Sequence, residues 1–448
     1  MEQNKIGNRD SFRSRSGFII ACIGSAVGMG NIWLFPYRVA NYGGAFLIAY
    51  LVCVVVIGLT GVIEEMSFGR AMKAGPEGAI EEVTERAGRG RALGGILSLE
   101  PVLTSLAMAI GYSVVVGWIL KYLFGSFDGS LFATESVVDY FVGISGNFGN
   151  LPYHLLGLVL CFAIVVFGIA GGIEKANKVM MPLFFLLFAG LAVYSGVTSV
   201  AKVGWQAAYA PIFTVRADQL LNPTVWMYAL GQAFFSLSLA GSGTLVYGSY
   251  LGDDVDVPYC AGMVALFDTL AAFIAALVII PPMAASGTEM SRSVGLMFMA
   301  LPALFQSMGA AGRIIMVIFF VAVTFAGLSS LINLFEAPIE ALQSKFRLSR
   351  KGAVGIIAVI GTAVAVCIEN GDITSGWMDV CSIYLCPIGA LLAAVLFFWV
   401  CGKKFANEQA SLGARRPLGR WFLPAGRYVF CGLTLLVLVL GTVMGGIG

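Results

Sequence analysis

The stretch GSAVGMGN, residues 24–31, lies in the middle of the first long apolar segment of the chain, residues 17–38. It holds three glycines, a serine and an asparagine between flanks suited to cross a bilayer. Each glycine costs about 1 kcal/mol relative to alanine in a helix interior. Hydrocarbon offers no water to bind the backbone groups that a broken helix exposes, so a break is tolerated only where it lines a polar cavity inside the protein. The alternative is a continuous helix that packs closely through Gly24 and Gly28.

The composition predicts an all-α membrane protein with many spans. The chain has 448 residues, of which 58% are hydrophobic and 12% charged, and its mean hydropathy is +0.88. A span needs about 20 apolar residues. Eleven segments qualify: 17–38, 43–70, 93–124, 151–171, 177–198, 225–250, 258–283, 311–343, 352–369, 376–401 and 424–446. No cleavable signal peptide is expected, because Arg13 and Arg15 lead directly into a full-length span.

The distribution of basic residues predicts the orientation. If the N-terminus is cytoplasmic, 21 of the 27 lysines and arginines fall in the inner tail and inner loops. The positive-inside rule then predicts a cytoplasmic N-terminus and, with eleven spans, an external C-terminus. The expected location is the plasma (inner) membrane. One inner loop, with Asp253, Asp254 and Asp256, lacks basic residues, but acidic residues count little in this rule.

A second interrupted span lies five spans after the first. The centre of segment 225–250 reads FFSLSLAGSGT, residues 234–244, and is again small and polar at mid-depth. Paired breaks in matching halves of a membrane protein indicate a transporter binding site. The predicted organisation is a cytoplasmic tail at 1–16, a first five-helix repeat at 17–198, an inverted second repeat at 225–401 and an extra helix at 424–446.

Several polar side chains are predicted within the spans. Carboxylates there usually face the protein interior and find a partner, which makes Asp268 a functional candidate and Glu64-Glu65 a costly pair. Tyr112 needs a partner for its hydroxyl, either within the core or on a ligand. The adjacent hydroxyls of Ser329 and Ser330 bond back to their own helix or bind a hard cation.

The remaining reactive residue types do not point to catalysis. Nine scattered cysteines are interpreted as buried thiols, and the one histidine, His154, as an interfacial residue. The sequence offers no nucleophile–base pair, phosphate-binding loop, metal-ligand cluster or basic nucleic-acid surface. Binding and gating, rather than an enzymatic reaction, are predicted.

Five motifs carry a resemblance to a known family. They are GSAVGMGNIW at 24–33, FPY at 35–37, NYGGAF at 41–46, FFSLS at 234–238 and AGLSS at 326–330. In these motifs the chain resembles the neurotransmitter:sodium symporter family, in particular its bacterial amino-acid branch. The resemblance covers essentially the whole chain, without the last span of the twelve-span members. It implies the LeuT fold, with two inverted five-helix repeats and, here, eleven transmembrane helices.

The resemblance implies two sodium sites. The first would use the Ala26 carbonyl, Asn31, Ser236 and Asp268, with the substrate carboxylate as a further ligand. The second would use the carbonyls of Gly24, Val27 and Ala326 and the hydroxyls of Ser329 and Ser330. No other cofactor is implied.

The resemblance also implies an amino-acid substrate. Its carboxylate would meet Tyr112 and the N–H groups near Met29 and Gly30, and its amine the carbonyls of Ala26 and of the second break. Phe235 would cover the pocket from outside. The pocket residues as a whole would be Ala26, Met29, Gly30, Met108, Tyr112, Phe235, Ser236, Ser238, Gly241, Asn333 and Leu334. Glycine at 28, where monoamine members have an acid, and at 241, where a bulkier residue is common, favour a neutral amino acid with a hydrophobic or aromatic side chain.

The gates depart from the family pattern. Leu34 stands where many members have the outer-gate arginine, although the acidic position, Asp379, is retained. Ser344 occupies the usual acidic partner position of the inner gate, so Arg9 is expected to use Glu340 instead. The spacing from Gly172 to Pro182 resembles the family's unwinding element in the fifth span.

One further departure concerns chloride. Asp268 replaces an asparagine, and Ala272, one turn on, is neither the carboxylate of chloride-independent members nor the serine of chloride-dependent ones. We expect Asp268 to supply the compensating negative charge, so that chloride is not required.

The sequence therefore predicts a sodium-coupled amino-acid symporter that works by alternating access, as a monomer or homodimer in the lipid bilayer. The alternatives are a proton-coupled or uncoupled carrier of the same fold, a non-transporting amino-acid sensor, and a channel. A channel would need a continuous polar stripe along several spans, whereas the breaks here are confined to mid-depth. No nucleic-acid partner is predicted.

Overall fold

The described residues, 10–288 and 294–446 of a computed structural model, form helices joined by short loops. The first half contains α1 Arg15–Ala26, α2 Gly30–Tyr42, α3 Gly44–Met72, α4 Pro76–Arg86, α5 Arg91–Asp128, α6 Ser130–Ala133, α7 Val137–Ser145, α8 Leu151–Val165, α9 Glu174–Phe213 and α10 Ala217–Leu220. The second half contains α11 Pro223–Ser236, α12 Gly243–Ser249, α13 Val257–Ser286, α14 Leu296–Ser307, α15 Ala310–Phe346, α16 Arg350–Cys367, α17 Gly371–Val400, α18 Gly402–Ser411 and α19 Phe422–Met444. No strand is found in these ranges, which confirms the all-α prediction.

Most of the predicted spans correspond to membrane-length helices. Among the described residues, eight helices are long and apolar enough to cross a membrane, and the bent pair α1 and α2 makes a ninth. The fourth predicted span contains α8, which has 15 residues, and the sixth is divided between α11 and α12. The count of eleven spans and the assignment of two inverted repeats stay predictions.

The first break lies within the GSAVGMGN stretch. Helix α1 ends at Ala26, Val27 has an extended backbone (φ −71°, ψ 107°), and α2 begins at Gly30. The two helices are bent by 57° relative to each other. The close-packed continuous helix is therefore not what this stretch forms.

The second break separates α11 from α12. Helix α11 ends at Ser236, the backbone is left-handed at Ser238 (φ 55°) and Gly241 (φ 67°), and α12 begins at Gly243. A left-handed conformation strains any residue except glycine, so Ser238 is held there by its surroundings. Its hydroxyl donates to the Ser25 carbonyl in the first break, 3.1 Å away.

The broken helices lie inside a frame of long helices. Helix α9 packs along α13, and α15 packs along α5. Helix α1 is surrounded by α9, α13 and α15, while α11 and α12 pack against α3. Both breaks are therefore enclosed by protein, which is the only environment in which exposed backbone is tolerated at membrane depth.

Candidate binding site

A cavity lies between the two breaks. It contains ten of the eleven residues predicted to bind substrate: Ala26, Met29, Gly30, Met108, Tyr112, Phe235, Ser236, Ser238, Asn333 and Leu334. It extends beyond them to α17 at Ser382, Ile383 and Cys386, and to α19 at Val437 and Gly441. The walls combine apolar side chains with hydroxyls and free backbone, as is usual for small-molecule sites.

The start of α2 and Tyr112 form one polar side of the cavity. The Met29 N–H donates to the Tyr112 hydroxyl over 3.2 Å. A β-carbon added at Gly28 would lie 3.0 Å from both the Tyr112 hydroxyl and the Ser330 hydroxyl, so a larger side chain at 28 would displace them. Glycine at 28 thus keeps the N-terminal end of α2 open, where N–H groups and the helix dipole favour an anion.

Gly241 is the one predicted substrate residue that does not line the cavity. Its N–H donates to Oε1 of Glu65 (2.7 Å), and a β-carbon there would collide with the Gly389 carbonyl of α17. The positive φ and this close approach explain the glycine, so it does not enlarge the pocket for an aromatic side chain as the sequence suggested.

Glu65 is a structural partner of the second break that the sequence did not identify as such. Besides Gly241, it accepts hydrogen bonds from the Ala240 N–H (3.1 Å) and from the Thr244 hydroxyl. The side chain is fully buried. It satisfies backbone donors that the interrupted helix exposes, and the signal for it was a carboxylate in the middle of a span.

Three of the four residues predicted for the first sodium site form one hydrogen-bonded cluster. Asn31 Nδ2 donates to Asp268 Oδ1 (2.8 Å), and the Ser236 hydroxyl lies 2.7 and 2.8 Å from the two carboxylate oxygens. Tyr50, which the sequence did not single out, donates its hydroxyl to Asp268 Oδ2 (3.2 Å). Ala26, the fourth residue, ends α1 and lines the cavity beside them.

The residues predicted for the second sodium site also converge. The Ser330 hydroxyl lies 3.0 Å from the Val27 carbonyl and 3.4 Å from the Gly24 carbonyl, and the Ser329 hydroxyl donates to the Ala326 carbonyl (3.0 Å). Hydroxyl and carbonyl oxygens from α1 and α15 are thus gathered where the first break frees backbone acceptors. Oxygen donors of this kind suit a hard cation.

Asn177 of α9 adjoins this second cluster and was not predicted. Its Nδ2 donates to the Ile173 carbonyl (2.9 Å), while Oδ1 is buried without a hydrogen-bond partner among the described residues. A β-carbon built on Gly24 would collide with that oxygen. The amide therefore presents an unpaired acceptor to the α1 backbone.

The fifth predicted span is continuous where unwinding was expected. Gly172 lies in a wide π-type turn, Ile169–Ile173, that leads directly into α9, and Pro182 lies inside that helix. The non-helical residue within α9 is Gly204 (φ 82°). Unwinding of the segment from Gly172 to Pro182 when the protein opens inward stays a prediction.

At the predicted outer end, Asp379 is exposed, and its carboxylate makes no hydrogen bond or ion pair with described residues. The cation nearest in sequence to Leu34 is Arg38, one turn further along α2 and buried. Arg38 donates to the Tyr228 carbonyl (2.9 Å) and to Oε1 of Gln232 (3.1 Å). At this predicted outer end, Arg38 therefore joins α2 to α11, a connection that the departure at position 34 did not indicate.

At the predicted inner end, Arg9 lies outside the described residues. Glu340 accepts from the Gly75 N–H (3.1 Å). A second carboxylate one turn earlier, Glu336, is fully buried and forms an ion pair with Arg350 (2.6 Å). At this predicted inner end, the ion pair joins α15 to the first residue of α16, a contact that the sequence did not predict.

The N-terminal segment, residues 10–14, is attached to the bundle at the same end. Phe12 packs edge-on against Phe18 and Tyr247, with ring centroids 5.2 and 5.6 Å apart. Asp10 Oδ2 accepts from the Ile169 N–H (2.6 Å), and Glu174 accepts from the Arg13 N–H (2.7 Å). The described part of the predicted cytoplasmic tail is thus bound to the wide turn and to the start of α9, although Asp10, Ser11 and Arg13 are exposed.

The interpretation of His154 was wrong. Its side chain is fully buried, with Nε2 2.9 Å from the Ser113 hydroxyl and Nδ1 3.2 Å from Glu369.

The cysteines are free thiols as predicted, but Cys367 is exposed and Cys386, Cys401 and Cys431 are only partly buried. Neither the burial of His154 nor the exposure of these cysteines could be inferred from local sequence, because both depend on which distant helices pack together.

The comparisons with known proteins agree with this architecture. The profile of the sodium:neurotransmitter symporter family matches residues 9–144 and 132–444. An uncharacterized sodium-dependent transporter of Methanocaldococcus jannaschii is 31% identical over 442 residues, covering 92% of this chain and 86% of the relative. The human sodium-dependent neutral amino acid transporter SLC6A17 is 29% identical over 301 residues, covering 61% of this chain and 40% of its own length. Among solved structures, the crystal structure of MhsT in complex with L-phenylalanine matches with a TM-score of 0.84 and 31% identity, over 96% of this chain and 99% of that one.

Proposed function

Because the chain belongs to the sodium:neurotransmitter symporter family, we propose that it is a symporter that uses sodium to import a neutral amino acid with a hydrophobic or aromatic side chain. The observation that carries this proposal is the convergence of two helix breaks on one cavity, with an oxygen cluster on either side of it. Family membership makes the protein a sodium-dependent membrane transporter and not an enzyme. The identity of the substrate and the roles of single residues belong to the proposal.

The cavity suits a zwitterion. The α-carboxylate would bind the N–H groups at the start of α2 together with the Tyr112 hydroxyl, because the helix dipole places partial positive charge there. The ammonium group would bind the Ala26 carbonyl and the carbonyls of the second break. The apolar walls at Met108, Phe235 and Leu334 favour a side chain without charge, and the related MhsT was crystallised with L-phenylalanine.

Sodium would bind at both oxygen clusters. At the second, three carbonyls and two hydroxyls provide neutral oxygen donors for one cation. At the first, Asp268 would add a full negative charge, and the ion would replace the hydrogen bonds that now join Asn31 and Ser236 to the carboxylate. Because that charge belongs to the protein, we propose that transport needs no chloride.

Alternating access would follow from the geometry of α1. This helix ends at the cavity, and its other end is attached to the wide turn and α9 through residues 10–14. When these contacts break, α1 can swing about its joint with α2. That movement would open the second sodium site, where Asn177 already offers an unpaired oxygen.

The test is uptake of a panel of labelled neutral amino acids into proteoliposomes with an inward sodium gradient, or with potassium in its place. We expect uptake of at least one apolar or aromatic amino acid only with sodium. The variant S329A/S330A should lose sodium-driven uptake, whereas T198A, whose hydroxyl donates to the Tyr194 carbonyl within α9, should retain it. Equal uptake with and without sodium would overturn the proposal.

A proton-coupled carrier is the second candidate, and Asp268 favours it. This carboxylate is fully buried, and its partners among the described residues are neutral: Asn31, Tyr50 and Ser236. A buried carboxylate without a cationic partner can carry a proton in place of sodium. Uptake driven by an inward proton gradient in sodium-free buffer would identify this mechanism.

A further inference from the structure

A second cavity lies where the membrane-length helix α19 begins, and it shares no lining residue with the substrate cavity. It is formed between the first turns of α18, the loop that follows α18 and the first turns of α19. Its volume is about 360 Å³, against roughly 30 Å³ for one water molecule in the liquid. There is room for a small hydrated ionic group.

Three cations from three separate segments line this cavity. Lys403 comes from α18, Arg420 from the loop that follows it, and Arg427 from α19. The cavity has no acidic side chain among its lining residues. In the stretch 401–427 there are six basic residues and one acidic residue, Glu408. The site is therefore complementary to an anion.

The guanidinium of Arg427 has a defined position. Its Nε and Nη2 donate to the Phe398 carbonyl (2.9 and 2.6 Å), and it lies over the Trp399 ring, 4.8 Å from the ring centroid. An arginine fixed in this way loses little conformational freedom when it binds an oxyanion. Lys403 and Arg420 are exposed and can close on the same ligand.

The surroundings indicate that the anion belongs to a lipid. Leu418, Leu423 and Pro424 provide an apolar wall. Trp399, Trp421 and Tyr428 are exposed by 46, 48 and 63% around the cavity, and tryptophan and tyrosine concentrate at the level of lipid headgroups. Basic pockets between the ends of transmembrane helices bind anionic lipid headgroups. We propose that Lys403, Arg420 and Arg427 form a binding site for the phosphate of an anionic phospholipid, with its acyl chains along α17 and α19.

The test uses the detergent-purified full chain without sodium or amino acid, so its outcome is independent of the transport proposal. Thermal unfolding is followed while short-chain phosphatidylglycerol, short-chain phosphatidylcholine or inorganic phosphate is titrated. The site variant is K403Q/R420Q. The matched control is R347Q/K351Q, which removes two exposed cations outside the cavity. Arg427 is left intact because its hydrogen bonds support the fold.

We expect phosphatidylglycerol to stabilise the wild type and the control, and to bind the site variant roughly thirty-fold more weakly, since each basic residue near an anionic headgroup contributes about one factor of five to six. The single variant K403Q should show a smaller loss of affinity for phosphatidylglycerol. It keeps the proposal testable if the double variant does not fold. Equal weakening in the control would mean nonspecific charge attraction and would overturn the proposal. Equal stabilisation by phosphatidylcholine, or by inorganic phosphate alone, would also overturn it, the latter in favour of a free-anion site.

Discussion

Asp268 is a buried carboxylate at a position where the resemblance to the family implies an asparagine. Its carboxylate is fully buried and is bound by Asn31, Ser236 and Tyr50. If it supplies the charge that other members obtain from chloride, replacing chloride by gluconate at fixed sodium should leave uptake unchanged. Sodium-driven uptake into proteoliposomes measures this directly, and its loss in chloride-free buffer would contradict the assignment.

The variant D268N tests the same assignment by removing the negative charge from the protein. We expect the apparent affinity for sodium to fall tenfold or more, because the cation would lose a buried anionic ligand and each tenfold step corresponds to about 1.4 kcal/mol. The control is D218N, which neutralises an exposed aspartate on α10. An unchanged sodium dependence in D268N would show that the first sodium ion does not need the charge of Asp268, because the amide oxygen of asparagine can still bind it.

At position 241, the backbone conformation itself requires glycine. Its φ of 67° costs a non-glycine residue about 1–2 kcal/mol, and a β-carbon would also collide with the Gly389 carbonyl. We therefore expect G241A to lower the free energy of unfolding by more than 1 kcal/mol, measured by thermal or denaturant unfolding in detergent. Gly190, a helical glycine of α9 with open space around it, is the control: G190A should leave stability unchanged or raise it.

At the scale of elements, the second break depends on a partner from another helix. Glu65 of α3 accepts from two backbone N–H groups between α11 and α12 and from the Thr244 hydroxyl in the first turn of α12. A buried donor left without an acceptor costs about 1–3 kcal/mol. We expect E65A to lose folded protein or substrate binding, and E65Q, which keeps one acceptor oxygen, to be milder. Size-exclusion profiles and substrate-induced thermal stabilisation measure both, with E85A, at an exposed glutamate of α4, as the control. Wild-type behaviour of E65A would show that the break needs no such partner.

The elements also show what local sequence can predict. Both breaks were predictable because glycine and small polar residues stand out at mid-depth, and the site residues on α1, α2, α11 and α15 lie within or beside those motifs. The partners contributed by distant helices were not. Glu369 lies 215 residues from His154, and Arg38 binds Gln232 across 194 residues. Hydropathy and spacing describe one helix at a time, so pairings of this kind follow only from the packed structure.

At the scale of the whole molecule, the N-terminal segment is attached to one end of the bundle. Asp10 binds the wide turn, Arg13 and Ser14 bind the start of α9, and Phe12 packs with Phe18, Tyr247 and Tyr250. Glu174 accepts two of these hydrogen bonds and one from Lys178. Removing its carboxylate should therefore weaken the attachment of α1 more than any change confined to the cavity.

Chemical labelling of Cys22 measures whether α1 is displaced. This thiol lies on α1 between the N-terminal segment and the cavity and is 2% exposed, so a thiol reagent reaches it only when that end of the bundle opens. We expect E174A to increase the rate of N-ethylmaleimide labelling at Cys22 several-fold, followed by peptide mass spectrometry, because the population with α1 displaced would rise. Cys161 on α8, fully buried and away from α1, provides an internal control in the same sample. Faster labelling at both thiols would indicate general unfolding, and an unchanged rate at Cys22 would show that residues 10–14 do not control the movement of α1. If Cys22 alone responds, addition of sodium should slow its labelling again, because an ion held by the Gly24 and Val27 carbonyls and the Ser330 hydroxyl would fix α1 against α15.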